Sequence, residues 1–241
     1  MTLPNLLIVG AQKSGTTWLH RALAKSKNFW GSDPKELNFW NQKKRNIEEY
    51  KKYFADAPPE ITYVYESTPT YLRLPGKEVD IAKNIKEGLG DIPLLLMIRD
   101  PRHRYLSAYT HHMLKGRLEL VEEITLISDE FLMLSLGLYA KMLSHYKNYF
   151  SKIYVHTYEE LLESPSGLFE RICAELSVKS DLKEKDLLFR ANDKNIKKRS
   201  AGIDKLPVLS AEANQSLCDF YREDVENMSK LINRDLSHWL N

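Results

Sequence analysis

The sequence predicts an α/β fold, a central parallel β-sheet flanked by helices on both faces in a three-layer sandwich. Apolar runs at Leu6–Val9, Leu94–Ile98 and Ile153–His156 are near-continuous rather than alternating, as in strands buried on both faces. Helical patterns separate these runs, and strands alternating with helices build crossover units with parallel pairing. The chain has 241 residues, 43% hydrophobic and 28% charged, enough to bury a substantial core as one domain over 1–241.

In chain order, the strand Leu6–Val9 leads into a helical pattern over Thr17–Lys25. A second helix over Ile47–Ala55 precedes a strand at Thr62–Glu66 (TYVYE), which is β-branched and aromatic although it alternates less cleanly. A helix over Val79–Leu89 joins it to the strand Leu94–Ile98. The helices Pro101–Lys115 and Leu138–Phe150 then run to the strand Ile153–His156, followed by a helix over Leu168–Leu176. The 180–208 segment is rich in Lys, Asp and Asn with little periodicity, and reads as a long basic surface loop. A last long helix runs from Ser210 to Leu231.

The totals exclude several function classes. A net charge of +2 is too small to bind nucleic acid by bulk electrostatics, so any anion site must come from local arrangement. The two cysteines, Cys173 and Cys218, lie in helical apolar patterns and read as buried free thiols, with a disulfide as the alternative. No metal-ligand spacing is present. No run approaches the roughly 18 apolar residues of a membrane span, and the strand close behind Met1 leaves no room for a signal peptide. These features predict a soluble, cytoplasmic chain.

The stretch from Gly10 to Thr17, GAQKSGTT, joins a strand to a helix. In that context backbone N–H groups of the turn and of the helix N-terminus point at an anion, and the helix dipole adds attraction. Gly10 and Gly15 permit the turn, Lys13 adds a mobile cation, and the Thr16 and Thr17 hydroxyls are donors that also cap helices. The loop is P-loop-like but departs from G-x-x-x-x-G-K-[ST]: Thr16 stands where the lysine belongs, and Lys13 lies inside the turn. A P-loop NTPase also needs a strand-end acid near Mg²⁺. Here Ile98-Arg-Asp-Pro101 offers Asp100, but Arg99 beside it argues for holding another anion. The plain alternative is a capped strand–helix loop with a solvated lysine.

The segments LLIVGAQKSGTTWL and LLLMIRDPRHRYLSAY together resemble the paired cofactor motifs of sulfotransferases that use 3′-phosphoadenosine-5′-phosphosulfate (PAPS). The resemblance implies that Lys13, Ser14, Gly15, Thr16 and Thr17 bind the 5′-phosphosulfate, and that Arg99 and Ser107 bind the 3′-phosphate. An always-charged forked donor and a hydroxyl suit a phosphate monoester. It further implies that Trp18 stacks on adenine and that Tyr158 contacts it, core packing being the alternative for each. Lys198 and Arg199 fall where the family has its basic cofactor lid, by composition rather than letter by letter. No metal is required in this family.

Sulfuryl transfer also needs a base. Pro34-Lys-Glu-Leu-Asn-Phe-Trp40 and Tyr65-Glu-Ser-Thr-Pro-Thr-Tyr-Leu72 resemble the Glu-x-His-Phe-Phe and Glu-Lys-Thr-Pro-x-Tyr segments of the glycan-modifying, heparan-sulfate-type branch. Glu36 aligns with that branch's base, while Asn38 replaces its His and Ser67 its Lys. Glu36 might otherwise be a surface carboxylate paired with Lys35. Glu66 is the reserve base, and Thr68, Tyr71 and His111 are candidates for the acceptor side. The expected activity is PAPS-dependent transfer to a hydroxyl of a carbohydrate or small molecule, with Lys13 stabilising the leaving phosphate. The rivals are a P-loop small-molecule kinase and a non-catalytic nucleotide-binding protein.

Overall fold

The computed structural model describes residues 3–191 and 205–241. Lys198 and Arg199 lie outside these residues. Contacts separate two compact units, one from Met1–Ile98 with Met142–Ala191, the other from Arg99–Lys141 with Asn192–Asn241.

The first unit holds a five-stranded sheet in the order β2-β3-β1-β4-β6, every pair parallel. The strands are β1 (Leu6–Gly10), β2 (Phe29–Gly31), β3 (Tyr63–Ser67), β4 (Leu94–Ile98) and β6 (Ile153–Thr157). Four match the expected apolar runs within a residue or so at each end. The fifth, β2, is only three residues long, too short for any periodicity, and it joins the edge by pairing Phe29 with Tyr63 and Gly31 with Tyr65.

Burial explains why the runs do not alternate. Leu6, Ile8, Tyr65, Leu95 and Met97 join Trp18, Leu19, Ala22 and Leu23 of α1 (Thr16–Leu23) in one buried cluster. Leu168, Phe169, Ile172 and Cys173 of α7 (Pro165–Glu175) complete it. The intervening Leu7, Val9, Leu96 and Ile98 point to the opposite face, since successive strand residues alternate, and they are fully or almost fully buried too. The sheet is therefore covered by helices on both faces.

Caps set most helix starts. Asn46 accepts the Glu48 N–H at α2 (Ile47–Lys52), and Asp80 accepts the Lys83 N–H at α3 (Ile81–Leu89). Asp80 also holds His145 of α5 (Tyr139–Lys147) at 2.9 Å. Thr157 and Glu160 form a capping box at α6 (Tyr158–Glu163), a helix the sequence reading passed over because it is short and follows β6 without a break. Ser164 then caps α7, with Pro165 at its first position. The 180–208 segment is not all loop: α8 spans Glu184–Leu187 and buries Leu187. Both cysteines are buried and free.

The second unit packs α4 (Pro101–Leu114) against α9 (Ala211–Ile232), which Ser210 caps. A two-residue parallel pair, β5 (Glu123–Ile124) with β7 (Val208–Leu209), adjoins α9. Buried Asp224 on α9 accepts the Ala140 and Lys141 N–H groups, satisfying backbone donors at the start of a helix. Fully buried Arg104 donates to the Met133 carbonyl. Among the described residues no helix is long and apolar enough to cross a membrane.

Leu95 sits in the interior strand β4 with no exposure, inside the cluster shared with α1 and α7. Leu95→Ala is expected to cost about 2–5 kcal/mol, read as a lower urea midpoint with an unchanged slope.

Candidate active site

Parallel strands share one direction, so the turns that follow β1, β2, β3 and β6 all leave the same edge of the sheet. The site residues of the first unit lie there. After β1 the Ala11 N–H donates to the Met97 carbonyl at 2.6 Å, tying the turn to β4. Lys13 (φ 70) and Gly15 (φ 97) are both left-handed. Gly15 is the residue before α1, and no side chain caps this helix among the described residues. Its first-turn N–H groups therefore have no side-chain acceptor, the arrangement that suits an anion. Ser14 is fully buried, and its hydroxyl has no hydrogen-bond partner among the described residues. A buried hydroxyl without a partner is costly unless a ligand supplies one. These features fit a phosphate or sulfate group.

The glycines are needed here for different reasons. A Cβ on Gly15 would sit 3.0 Å from the Tyr158 ring besides forcing a side chain into the left-handed region. Tyr158, the first residue of α6, thus lies against the turn. A Cβ on Gly10 would come within 2.5 Å of Leu72 Cβ, because the segment after β3 crosses the end of β1 and its Leu72 N–H donates to the Val9 carbonyl.

Trp18 is placed differently from the adenine-stacking expectation. It is 5% exposed within the core, stacks on Phe189, and donates its indole N–H to the Leu187 carbonyl at 3.2 Å. Its spacing on α1 puts it on the helix face that packs against the sheet, which is the core alternative.

The turn after β2 carries Glu36. The Ser32 N–H donates to the Tyr65 carbonyl at 2.9 Å, and the chain then runs without regular structure to Trp40. The Glu36 side chain is 48% exposed and meets Lys35 Nζ at 2.8 Å. Burial lowers the Lys35 pKa, opposed by its bond to Glu36. Asn38 (φ 53) is held by neighbours: Thr70 Oγ1 and Asn41 Nδ2 donate to its Oδ1 at 3.1 and 3.0 Å.

Beneath this loop lies Glu66, fully buried in β3. It accepts from the hydroxyls of Tyr50, Thr68 (2.6 Å) and Tyr71 (2.7 Å), and from the Leu37 backbone. Burial raises its pKa, and these donors oppose the rise. Burial likewise raises Tyr50 and Tyr71, with the Glu66 charge adding to it. Thr68 and Tyr71, expected on the acceptor side, are fully buried and face this carboxylate instead. The signal was partly present, since hydroxyls at two and five positions after a strand-end carboxylate can turn back to it. Tyr50, sixteen residues upstream, had no such signal.

In the second unit, Arg99 directly follows β4, and Ser107, 7% exposed, lies on α4. His111 is partly buried and edge-on to His112, which is buried and stacked on Phe131 at 4.3 Å. Among the described residues no group of three or more His, Cys, Asp or Glu is placed to hold a metal.

Fold and turn define the class, a parallel α/β protein with a glycine-bearing turn that suits an anion at the carboxyl end of its first strand. The family model for the sulfotransferase domain matches residues 3–200, and the chain belongs to that family. It is 33% identical over 112 residues to the membrane-associated sulfotransferase kil1 of Dictyostelium discoideum, covering 45% of this chain and 23% of that protein. Mouse heparan sulfate glucosamine 3-O-sulfotransferase 3A1 is 25% identical over 260 residues, covering 97% of this chain and 64% of its own length. For the human 3B1 protein, also 25% identical, the shares are 78% and 49%. The chain thus spans between about a quarter and two thirds of these relatives. The fold is shared with a sulfotransferase from Alicyclobacillus acidocaldarius (TM-score 0.80, 24% identity, all of both chains). It is also shared with mouse SULT7A1 complexed with PAP (TM-score 0.59, 14% identity, 95% of this chain and 87% of that one).

His20, on α1 behind the turn, meets Tyr65 edge-on, and its pKa is lowered to about 4, first by burial and then by Lys35 and Arg21. The folded state then binds fewer protons than the unfolded state, whose histidine titrates near about 6.5, so stability falls as pH drops from there towards 4. His20→Gln is expected to flatten the stability profile across that window, measured by urea melts from pH 7 to 4.

Proposed function

We propose that this chain transfers the sulfuryl group of PAPS to a hydroxyl of a carbohydrate acceptor. The observation that carries the reading is the turn after β1, where left-handed Lys13 and Gly15 precede a helix without a side-chain cap and the buried Ser14 hydroxyl has no protein partner among the described residues. PAPS, when bound, supplies the sulfuryl group and a nucleotide leaving group. Backbone donors of residues 14–17 hold its phosphosulfate end, and Lys13 neutralises charge developing on the leaving oxygen. Arg99 and Ser107 take the 3′-phosphate on the strength of their motif alone, and Tyr158, against Gly15, takes the adenine end.

Glu36 receives the proton of the acceptor hydroxyl as it attacks. The support is an accessible carboxylate on a loop anchored at both ends to β3 or the segment after it. The carbohydrate class rests on the 3-O-sulfotransferase relatives, whose similarity extends over most of this chain. Asn38 and Ser67 stand where that branch has His and Lys, so the acceptor carries fewer contacts from this side.

Calorimetry separates this reading from a P-loop kinase. Adenosine 3′,5′-bisphosphate (PAP) is expected to bind at least tenfold more tightly than ATP, with or without Mg²⁺; tighter ATP binding overturns the reading. Lys13→Ala is expected to weaken PAP binding by about tenfold, the scale of one charge-assisted contact. Glu36→Gln should leave PAP affinity within about twofold and lower label transfer from ³⁵S-PAPS to de-O-sulfated heparin oligosaccharides by about 10²–10⁴, the contribution of a general base. Undiminished transfer removes Glu36 as the base.

A further inference from the structure

We propose that Glu66 is a positioning residue that holds the Glu36 loop by dictating the direction of the hydroxyl hydrogen bonds beneath it. The proposal rests on the reading of Glu36 as the base.

The loop from Ser32 to Trp40 has no helix or strand to orient it. An ionised carboxylate is acceptor-only, with about four lone-pair sites, and a buried one needs them filled. Glu66 receives four donors: the Tyr50, Thr68 and Tyr71 hydroxyls and the Leu37 N–H. Each hydroxyl has spent its only proton on Glu66, so towards the loop it can only accept. Thr68 Oγ1 accepts the Asn38 N–H at 3.3 Å. Tyr71 OH accepts the Trp40 backbone N–H at 3.3 Å. Tyr50 OH accepts the Trp40 indole N–H at 3.2 Å. One carboxylate thus fixes three residues of the loop, Leu37 directly, Asn38 through the Thr68 hydroxyl and Trp40 through the hydroxyls of Tyr71 and Tyr50, starting at the residue after Glu36.

Rigid packing surrounds the network. Phe39 stacks on Tyr50 at 4.2 Å, and the Trp40 ring lies edge-on to both. Glu66 itself has no exposure and touches neither solvent nor an open face. Its influence on the reaction therefore runs through the backbone that carries Glu36, which is why the role is positioning and not proton transfer.

Glu66→Gln tests this, because it keeps the shape and removes the polarity. A glutamine amide donates, so a hydroxyl facing it must turn its proton away and compete with the loop for acceptors. PAP affinity is expected to stay within about twofold of wild type, since the phosphate turn lies outside the network. Amide hydrogen exchange should rise at least tenfold at residues 37–40 and stay unchanged at 14–19. Turnover of ³⁵S-PAPS, with de-O-sulfated heparin oligosaccharides or water as acceptor, should fall at least tenfold. The same substitution in a Glu36→Gln background should cause no further loss. Thr68→Val, which removes one donor and the Asn38 relay, carries the test if Glu66→Gln does not fold, with faster exchange expected at Asn38. Unchanged exchange at 37–40, or a Glu66→Gln loss that multiplies with that of Glu36→Gln, overturns the proposal. Absence of both PAP binding and turnover in the wild type would sink the functional reading, while the exchange measurement still decides what Glu66 does to the loop.

Discussion

Parallel pairing of five short strands is the constraint on which the rest of the first unit depends. Parallel strands are joined only by crossovers, so helices must return over the faces, and both faces become apolar. The same geometry sends the turns after β1, β2, β3 and β6 off one edge. Residues as distant in sequence as Ser14, Glu36, Thr68 and Tyr158 reach that edge because their strands share a direction, not because any local signal draws them together. The edge is also where the backbone leaves its ladder, so N–H groups and strand-end side chains are released for other partners.

Those partners divide into two kinds. At the start of α1 no side chain caps the helix, and the buried Ser14 hydroxyl has no partner among the described residues, which suits a ligand that arrives and leaves. The Glu66 carboxylate, by contrast, is matched by donors of the protein itself, the Tyr50, Thr68 and Tyr71 hydroxyls and the Leu37 backbone. The first arrangement suits binding; the second suits holding a loop in place. A half-exposed carboxylate such as Glu36 on an irregular loop would otherwise sample many positions, and ordering it costs conformational entropy that the buried network offsets.

Much of this was legible in the residues. Near-continuous apolar runs announced buried parallel strands, and the Gly10–Thr17 stretch announced a strand–turn–helix, since both follow from short-range pattern. Strand β2 was missed because three residues carry no period, and α6 because its capping box begins where a strand ends. Trp18 read as an adenine-stacking residue with core as the alternative; the cluster formed with α7 and Phe189 buries it in the core. Thr68 and Tyr71 sat in a motif that suggested the acceptor side, yet a buried carboxylate beside them accepts their hydroxyl hydrogen bonds.

By itself, the sequence determined where four of the five sheet strands and most of the helices run, and where a strand–turn–helix of the kind that suits an anion lies. Those properties depend on residue type and local spacing, which a linear chain displays. Tertiary structure alone decided which groups come to the carboxyl edge of the sheet and which face each other. Tyr50, Glu66 and Trp40 become one network only when α2 is brought against β3, because hydrogen bonds are made at about 3 Å and no linear pattern records a distance of that kind.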